Sequence, residues 1–184
     1  ISAIRFAVDM LIRQVDWYVE PGGNGAQAQD QAEFVDSCME DMSQSWENVI
    51  TEILSFLDYG FSFHEIVYKK RVGPDEEDPT KRSRFTDGRI GWRKLPIRAQ
   101  DTLYEWKFDQ DGGVQAFVQQ GPNQIKQVEI PIDKGLLFRT TAHKNNPEGR
   151  SILRGAFRPW YFKKRIEEIE GVGTERDLAG LPVI

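Results

Sequence analysis

The sequence predicts an α+β fold: N-terminal helices, a central antiparallel β-meander and a C-terminal helix. Three observations predict it: helical spacing of apolar residues up to Leu57, a change to two-residue alternation at Gly60, and a return to helical spacing after Asn145. Helices, then strands, then a helix is the order of an α+β chain and not of alternating β-α-β units. The expected division is a helical part over 1–59, an antiparallel sheet over 60–144 and a basic-aromatic helix over 145–184, together one domain.

Ile1, Ile4, Val8, Leu11, Val15 and Tyr18 recur every three or four residues, predicting a helix over about 1–20 with that stripe toward the core. Pro21 and the glycines 22, 23 and 25 end it. Phe34, Cys38 and Met42 predict a second helix, and Trp46, Val49, Ile50, Ile53, Leu54 and Leu57 a third. The break between them falls in 41–45, where Asp and Ser cap helix starts. Residues 61–68 alternate and are rich in aromatic and branched side chains, as in a strand. The charged, Pro-flanked segment 73–79 predicts an exposed loop. Strands are expected at about 89–98, 103–109, 114–120, 125–130 and 135–141, with reversals at 109–113 and 121–123. Ser151 is a candidate N-cap, and Ile152, Leu153, Ala156, Phe157, Trp160, Phe162, Ile166 and Ile169 give a broad apolar face. Pro159 within that run predicts either a kink or a new helix with Pro in its first turn.

Composition narrows the function. The 184 residues hold 24 Lys plus Arg against 29 Asp plus Glu, one Cys and two His. One Cys cannot form an internal disulfide, and Cys38 with His64 and His143 cannot supply a four-ligand Cys/His zinc site. No apolar run approaches the roughly 20 residues that span a bilayer, so no membrane partner is expected. The charge is polarised: residues 1–78 carry a net −11 and residues 79–184 a net +6. Such a chain argues against a conventional DNA-binding module. The start at Ile1 and the apolar end Leu181-Pro182-Val183-Ile184 predict a piece of a longer protein.

Catalytic motifs are thin. His64-Glu65-Ile66-Val67-Tyr68 ends in Tyr where a zinc-protease motif needs His, and its pattern is a strand's. Gly171-Val172-Gly173 lacks the third glycine of a dinucleotide fingerprint and reads as a helix break. There is no phosphate loop of the G-x-x-x-x-G-K-[ST] type and no G-x-S-x-G elbow. Cys38, in an acidic helix, is a poor nucleophile. The carboxylates of 75–78 suit a solvated loop better than a cation site. No cofactor is expected.

One constellation stands out. Arg150, Arg154, Arg158, Lys163, Lys164 and Arg165 fall within sixteen residues that hold no acid, interleaved with Phe157, Trp160, Tyr161 and Phe162. The first three recur every four residues, as along one side of a helix. Two readings stay open. The segment is a charged interface, to phosphates or to an acidic face of a neighbouring subunit, with Arg150, Arg154, Arg158, Trp160, Tyr161, Lys163, Lys164 and Arg165 as its candidates. Or the aromatics are core and the cations pair locally, Lys163 with Glu167 and Lys164 with Glu168.

Residues 60–68 (GFSFHEIVY), 146–164 (NPEGRSILRGAFRPWYFKK) and 175–182 (ERDLAGLP) together resemble the portal, or head-to-tail connector, proteins of tailed bacteriophages and prophages, particularly the Mu-like group. The resemblance runs from about residue 50 to 184; residues 1–45 add only a compatible helical pattern. It implies a non-enzymatic, wing-like part of a ring subunit, typically a dodecamer, at one capsid vertex. Implied partners are other copies of itself, the terminase large subunit, capsid and tail-adaptor proteins, and the double-stranded DNA that passes during packaging and ejection. The implied location is the virion, after assembly in the bacterial cytoplasm, with stem, clip and crown mostly beyond Ile184. A nucleic-acid-processing enzyme fragment lacking its catalytic part, or a protein-binding adaptor domain, is the alternative.

Overall fold

The computed structural model describes residues 2–121, 126–141 and 145–178. The expected apolar end at 181–184, the Pro-Asn of the 121–123 reversal and His143 lie outside them. The α+β order holds: among the described residues α1 (Ser2–Arg13), α2 (Ala26–Glu40), α3 (Trp46–Ile53) and the single turn α4 (Phe56–Tyr59) precede eight short strands, and α5 (Phe157–Leu178) follows.

The strands are β1 (Phe61–Glu65), β2 (Val67–Lys70), β3 (Ile90–Lys94), β4 (Ile97–Arg98), β5 (Leu103–Phe108), β6 (Val114–Gln119), β7 (Val128–Pro131) and β8 (Gly135–Arg139). They form three small antiparallel sheets, ordered β4-β1-β8, β2-β3 and β5-β6-β7. Only the last is the expected meander. β1 pairs with β8 over Phe61–Glu65 and with β4 at Phe63 and His64, contacts far apart in sequence. The expected strand 61–68 is two strands in different sheets. Ile66 separates them, its N–H donating to Lys134 O at 2.8 Å while its side chain turns into the helical core.

The helical core joins Val49, Ile50, Ile53 and Leu54 to Leu95, with Ile12, Met42, Trp46, Phe56 and Phe138 around them. Ser45 caps α3, its side chain accepting from Asn48 N–H, as the break at 41–45 predicts. The second core is aromatic: Phe63 stacks on Phe117 with centroids 4.8 Å apart, and Trp106 meets Phe61, Phe63 and Phe117 edge-on. β1 runs between the two cores and is buried on both faces. Its polar side chains are therefore bonded, Ser62 Oγ donating to Ile53 O at 2.9 Å and His64 Nδ1 lying 3.0 Å from Leu95 O. Burial holds the His64 pKa below its usual value, against the bond to Leu95 and the charge of Glu52.

The first helix departs from expectation twice. It ends at Arg13, not near 20, because Trp17 leaves the helical path to meet Trp46 edge-on at 6.4 Å. Its docked face is Arg5, Val8, Asp9 and Ile12, so of the expected stripe Val8 alone is half-buried among the described residues; Ile4, Leu11, Val15 and Tyr18 face solvent. Arg5 sets that rotation by donating to Asp58 Oδ1 at 2.9 Å and Leu54 O at 2.8 Å.

The charged excursion after β2 is loop, as expected, but tied down at its base. Lys69 is buried, with Nζ 3.0 Å from Asp41 Oδ2 and donating to Arg82 O at 2.7 Å. Asp41 also accepts from Ser83 Oγ at 2.6 Å and Arg84 N–H at 2.8 Å. Burial alone would raise the Asp41 pKa; these bonds and the ammonium overcome it and hold the carboxyl below its usual value. Arg71 lies 3.8 Å over Phe85 and 5.1 Å from Phe34, and pairs with Asp87 at 3.1 Å. Part of the charge polarity is used inside the chain, where Arg89–Asp30 and Arg98–Glu65 pair a cation of the second part with an acid of the first.

Candidate subunit interface

The basic-aromatic segment is launched from a backbone crossing. Gly60 (φ +98°) and Gly149 (φ +60°) meet main chain to main chain, and a Cβ on Gly60 would lie 2.5 Å from Glu148 O and 3.0 Å from Arg150 N. Only glycine fits at such an approach and at such a φ. Thr140 fastens the crossing: its N–H donates to Gly60 O at 3.0 Å, its Oγ1 donates to Arg150 O at 2.6 Å and accepts from Arg150 N–H at 2.7 Å. Pro147 is buried beside it. Ser151 then caps a 3₁₀ turn (Ile152–Ala156), accepting from Leu153 N–H at 3.1 Å.

α5 begins at Phe157, so Pro159 sits in its first turn, where its missing N–H costs nothing. Arg150, Arg154 and Arg158 do not line one α-helix. They lie in the approach, the 3₁₀ turn and α5 respectively, because the tight turn changes the rotation per residue. The helix also continues through Gly171-Val172-Gly173, which the sequence read as a break; two glycines lower helix propensity without preventing the hydrogen bonds.

The candidate residues Arg150, Arg154, Arg158, Trp160, Tyr161, Lys163, Lys164 and Arg165 are all exposed. Phe157 is 62% exposed, and Trp160, Phe162, Ile166 and Ile169 are each at least half exposed. The aromatics are thus not core in the isolated chain, contrary to the second reading. The local pairs are partly right. Lys163 reaches Glu167 at 3.5 Å, but Glu168 is taken by Arg165 at 3.1 Å, and Lys164 lies 5.8 Å from the Trp160 ring. Bonds to Tyr161 and Glu168 raise the Arg165 pKa further. Arg150, Arg154, Arg158 and Lys164 make no ion pair among the described residues.

Along α5, residues 158–165 hold four cations and no acid, whereas 166–178 hold five acids against Arg176. Cations at the amino end and acids at the carboxyl end oppose the helix macrodipole. Beneath the first turns, Arg5, Asp58, Leu153, Ala156, Pro159 and Trp160 line an apolar groove of about 890 Å³. Sequence reasoning did not foresee the Gly60–Gly149 crossing; Gly60 was read only as the place where the period changes.

The described residues thus form a body with two cores and a C-terminal helix whose cations and aromatics are exposed. The chain is a member of the family described as the portal protein of Mu bacteriophage, whose family model matches residues 7–168. The match starts well before the residues that carry the resemblance, so the N-terminal helices belong to the family pattern too. A comparison with curated proteins returned no match. Membership of a phage portal family implies association with the virion capsid, and no helix among the described residues is long and apolar enough to cross a membrane.

Proposed function

We propose that this chain is the wing-containing part of a portal ring that sits at the capsid vertex, admits and releases double-stranded DNA, and joins head to tail. Its three segments, 1–59, 60–144 and 145–184, act as one wing-like domain. The single observation that carries this reading is the family match over residues 7–168. The exposed α5 agrees with it, since a ring subunit must present surfaces that only a neighbour covers. The protein acts by position and not by catalysis; chemistry on DNA belongs to the terminase large subunit that docks on the ring, and capsid and tail-adaptor proteins are its other partners. Assembly takes place in the host cytoplasm. Arg150, Arg154, Arg158, Trp160, Tyr161, Lys163, Lys164 and Arg165 serve at subunit contacts.

Native mass spectrometry of the protein tests this: a closed oligomer is expected, and a strict monomer at all concentrations and salts would overturn it. A DNA-facing role for the same cations is the second reading, favoured by the four that lack an acid partner. Phosphate contacts release counterions, so that reading requires affinity for duplex DNA that falls steeply with salt.

A further inference from the structure

We infer that the outward face of α5 docks into an acidic groove on the N-terminal helices of a second copy of this chain. This rests on the ring reading above and names its mating surfaces. At 100° per residue, Lys164, Phe157, Tyr161, Arg165, Arg158 and Phe162 share an arc of about 160°. That arc lies away from Pro159 and Lys163, which line the groove against the chain's own body. Cations and rings are interspersed across the arc, and Arg158 and Lys164 have no carboxylate to pair with among the described residues.

The complementary surface is a groove of about 650 Å³ between α2, α3 and the segment that follows α1. Met39, Met42 and Trp46 give it apolar walls, and Asp36, Glu40 and Glu47 stand on its rim. With Asp16 it has four carboxylates against the guanidiniums of Arg13 and Arg84. Asp36 and Glu40 lie one helical turn apart on α2, an unfavourable like-charge spacing, and neither has an ionic partner among the described residues. A cationic, aromatic helix relieves that repulsion and fills a Met- and Trp-lined trough; methionine accommodates ring edges readily.

The two surfaces share no residue, as a heterologous contact requires, and heterologous contacts close into a ring when the rotation from one subunit to the next closes. Size agrees as well. The three aromatics of the arc, Phe157, Tyr161 and Phe162, are 43% to 62% exposed. At roughly 150–250 Å² for each whole side chain, they offer on the order of 300 Å², over a third of one partner's share of a standard interface.

Charge reversal tests the pairing. One variant carries Asp36→Lys with Glu40→Lys, the other Arg158→Glu with Lys164→Glu, each checked by circular dichroism and a cooperative melt to be folded. Alone, each sets like charges against like at every joint, and the concentration needed for ring assembly should rise at least tenfold by native mass spectrometry. Mixed in equal amounts, they should form rings of alternating subunits, since every joint then brings opposite charges together. All four substitutions in one chain should likewise restore assembly. Wild-type rings indifferent to either reversal, or reversals that neither mixing nor combination rescues, would overturn the pairing while leaving the ring intact. A wild-type protein that never assembles would overturn the ring and the pairing with it.

Discussion

Gly60→Ala tests the crossing from which α5 departs. Gly60 holds φ +98°, a conformation that costs an L-residue about 1–2 kcal/mol. The added Cβ would also lie 2.5 Å from Glu148 O and near Arg150 N and Ser151 N, all main-chain atoms that move only with their segment. Overpacking of that kind costs about 1–3 kcal/mol. The two together give a loss of about 2–5 kcal/mol, or very roughly 4–20 °C in Tm for a chain of this size. Two other glycines calibrate the result. Gly88 has φ +69° with open space around it, so Gly88→Ala should show only the conformational part, about 1 kcal/mol. Gly155 has neither positive φ nor a close neighbour, and Gly155→Ala should be neutral or stabilise by up to ~1 kcal/mol. Urea unfolding of the three variants decides. If Gly60→Ala loses no more than Gly88→Ala, the main-chain contact at Glu148 is not a constraint and the reasoning fails.

Two further outcomes concern buried charge and protonation. Lys69→Met leaves the Asp41 carboxylate buried without its ammonium and should cost about 3–5 kcal/mol, whereas adding Asp41→Asn should recover part of the loss; simple additivity in a double-mutant cycle would refute the pairing. His64 is held neutral: its Nδ1–H bonds Leu95 O, and Nε2 is buried with no partner among the described residues. The unfolded chain takes up a proton near pH 6.5 while the folded protein resists until lower pH. Stability is therefore complete above about pH 6.5 and falls as pH drops from there toward the folded value. His64→Asn should remove that slope from urea midpoints measured between pH 7 and 5; an unchanged slope would place the titration elsewhere.

Local signals were legible in the sequence where local forces decide. Ser45 and the spacing of Trp46, Val49, Ile50 and Ile53 state both the start and the inner face of α3, and the glycine at 112 marks the β5–β6 reversal. Pairings across long separations were not legible. Nothing near Phe61 says that its strand lies beside Arg139, and Ser62 and His64 look like a solvent face although both are buried, because Ser62 Oγ and His64 Nδ1 find partners on α3 and at Leu95. The N-terminal stripe misled because one guanidinium, Arg5, turned α1 about its axis. The candidate interface was legible as composition but not as position: the apolar residues of 157–169 have core spacing, yet their helix stands off the body.

The inverted charge order along α5 ties its stability to what covers it. Helices in proteins owe most of their stability to the apolar face they bury, and α5 keeps its rings and isoleucines exposed while its charges oppose its own dipole. In the proposed ring, a neighbour that covers this face would bind the helical form in preference to the unfolded one, so that the order of α5 would rise with subunit concentration by mass action.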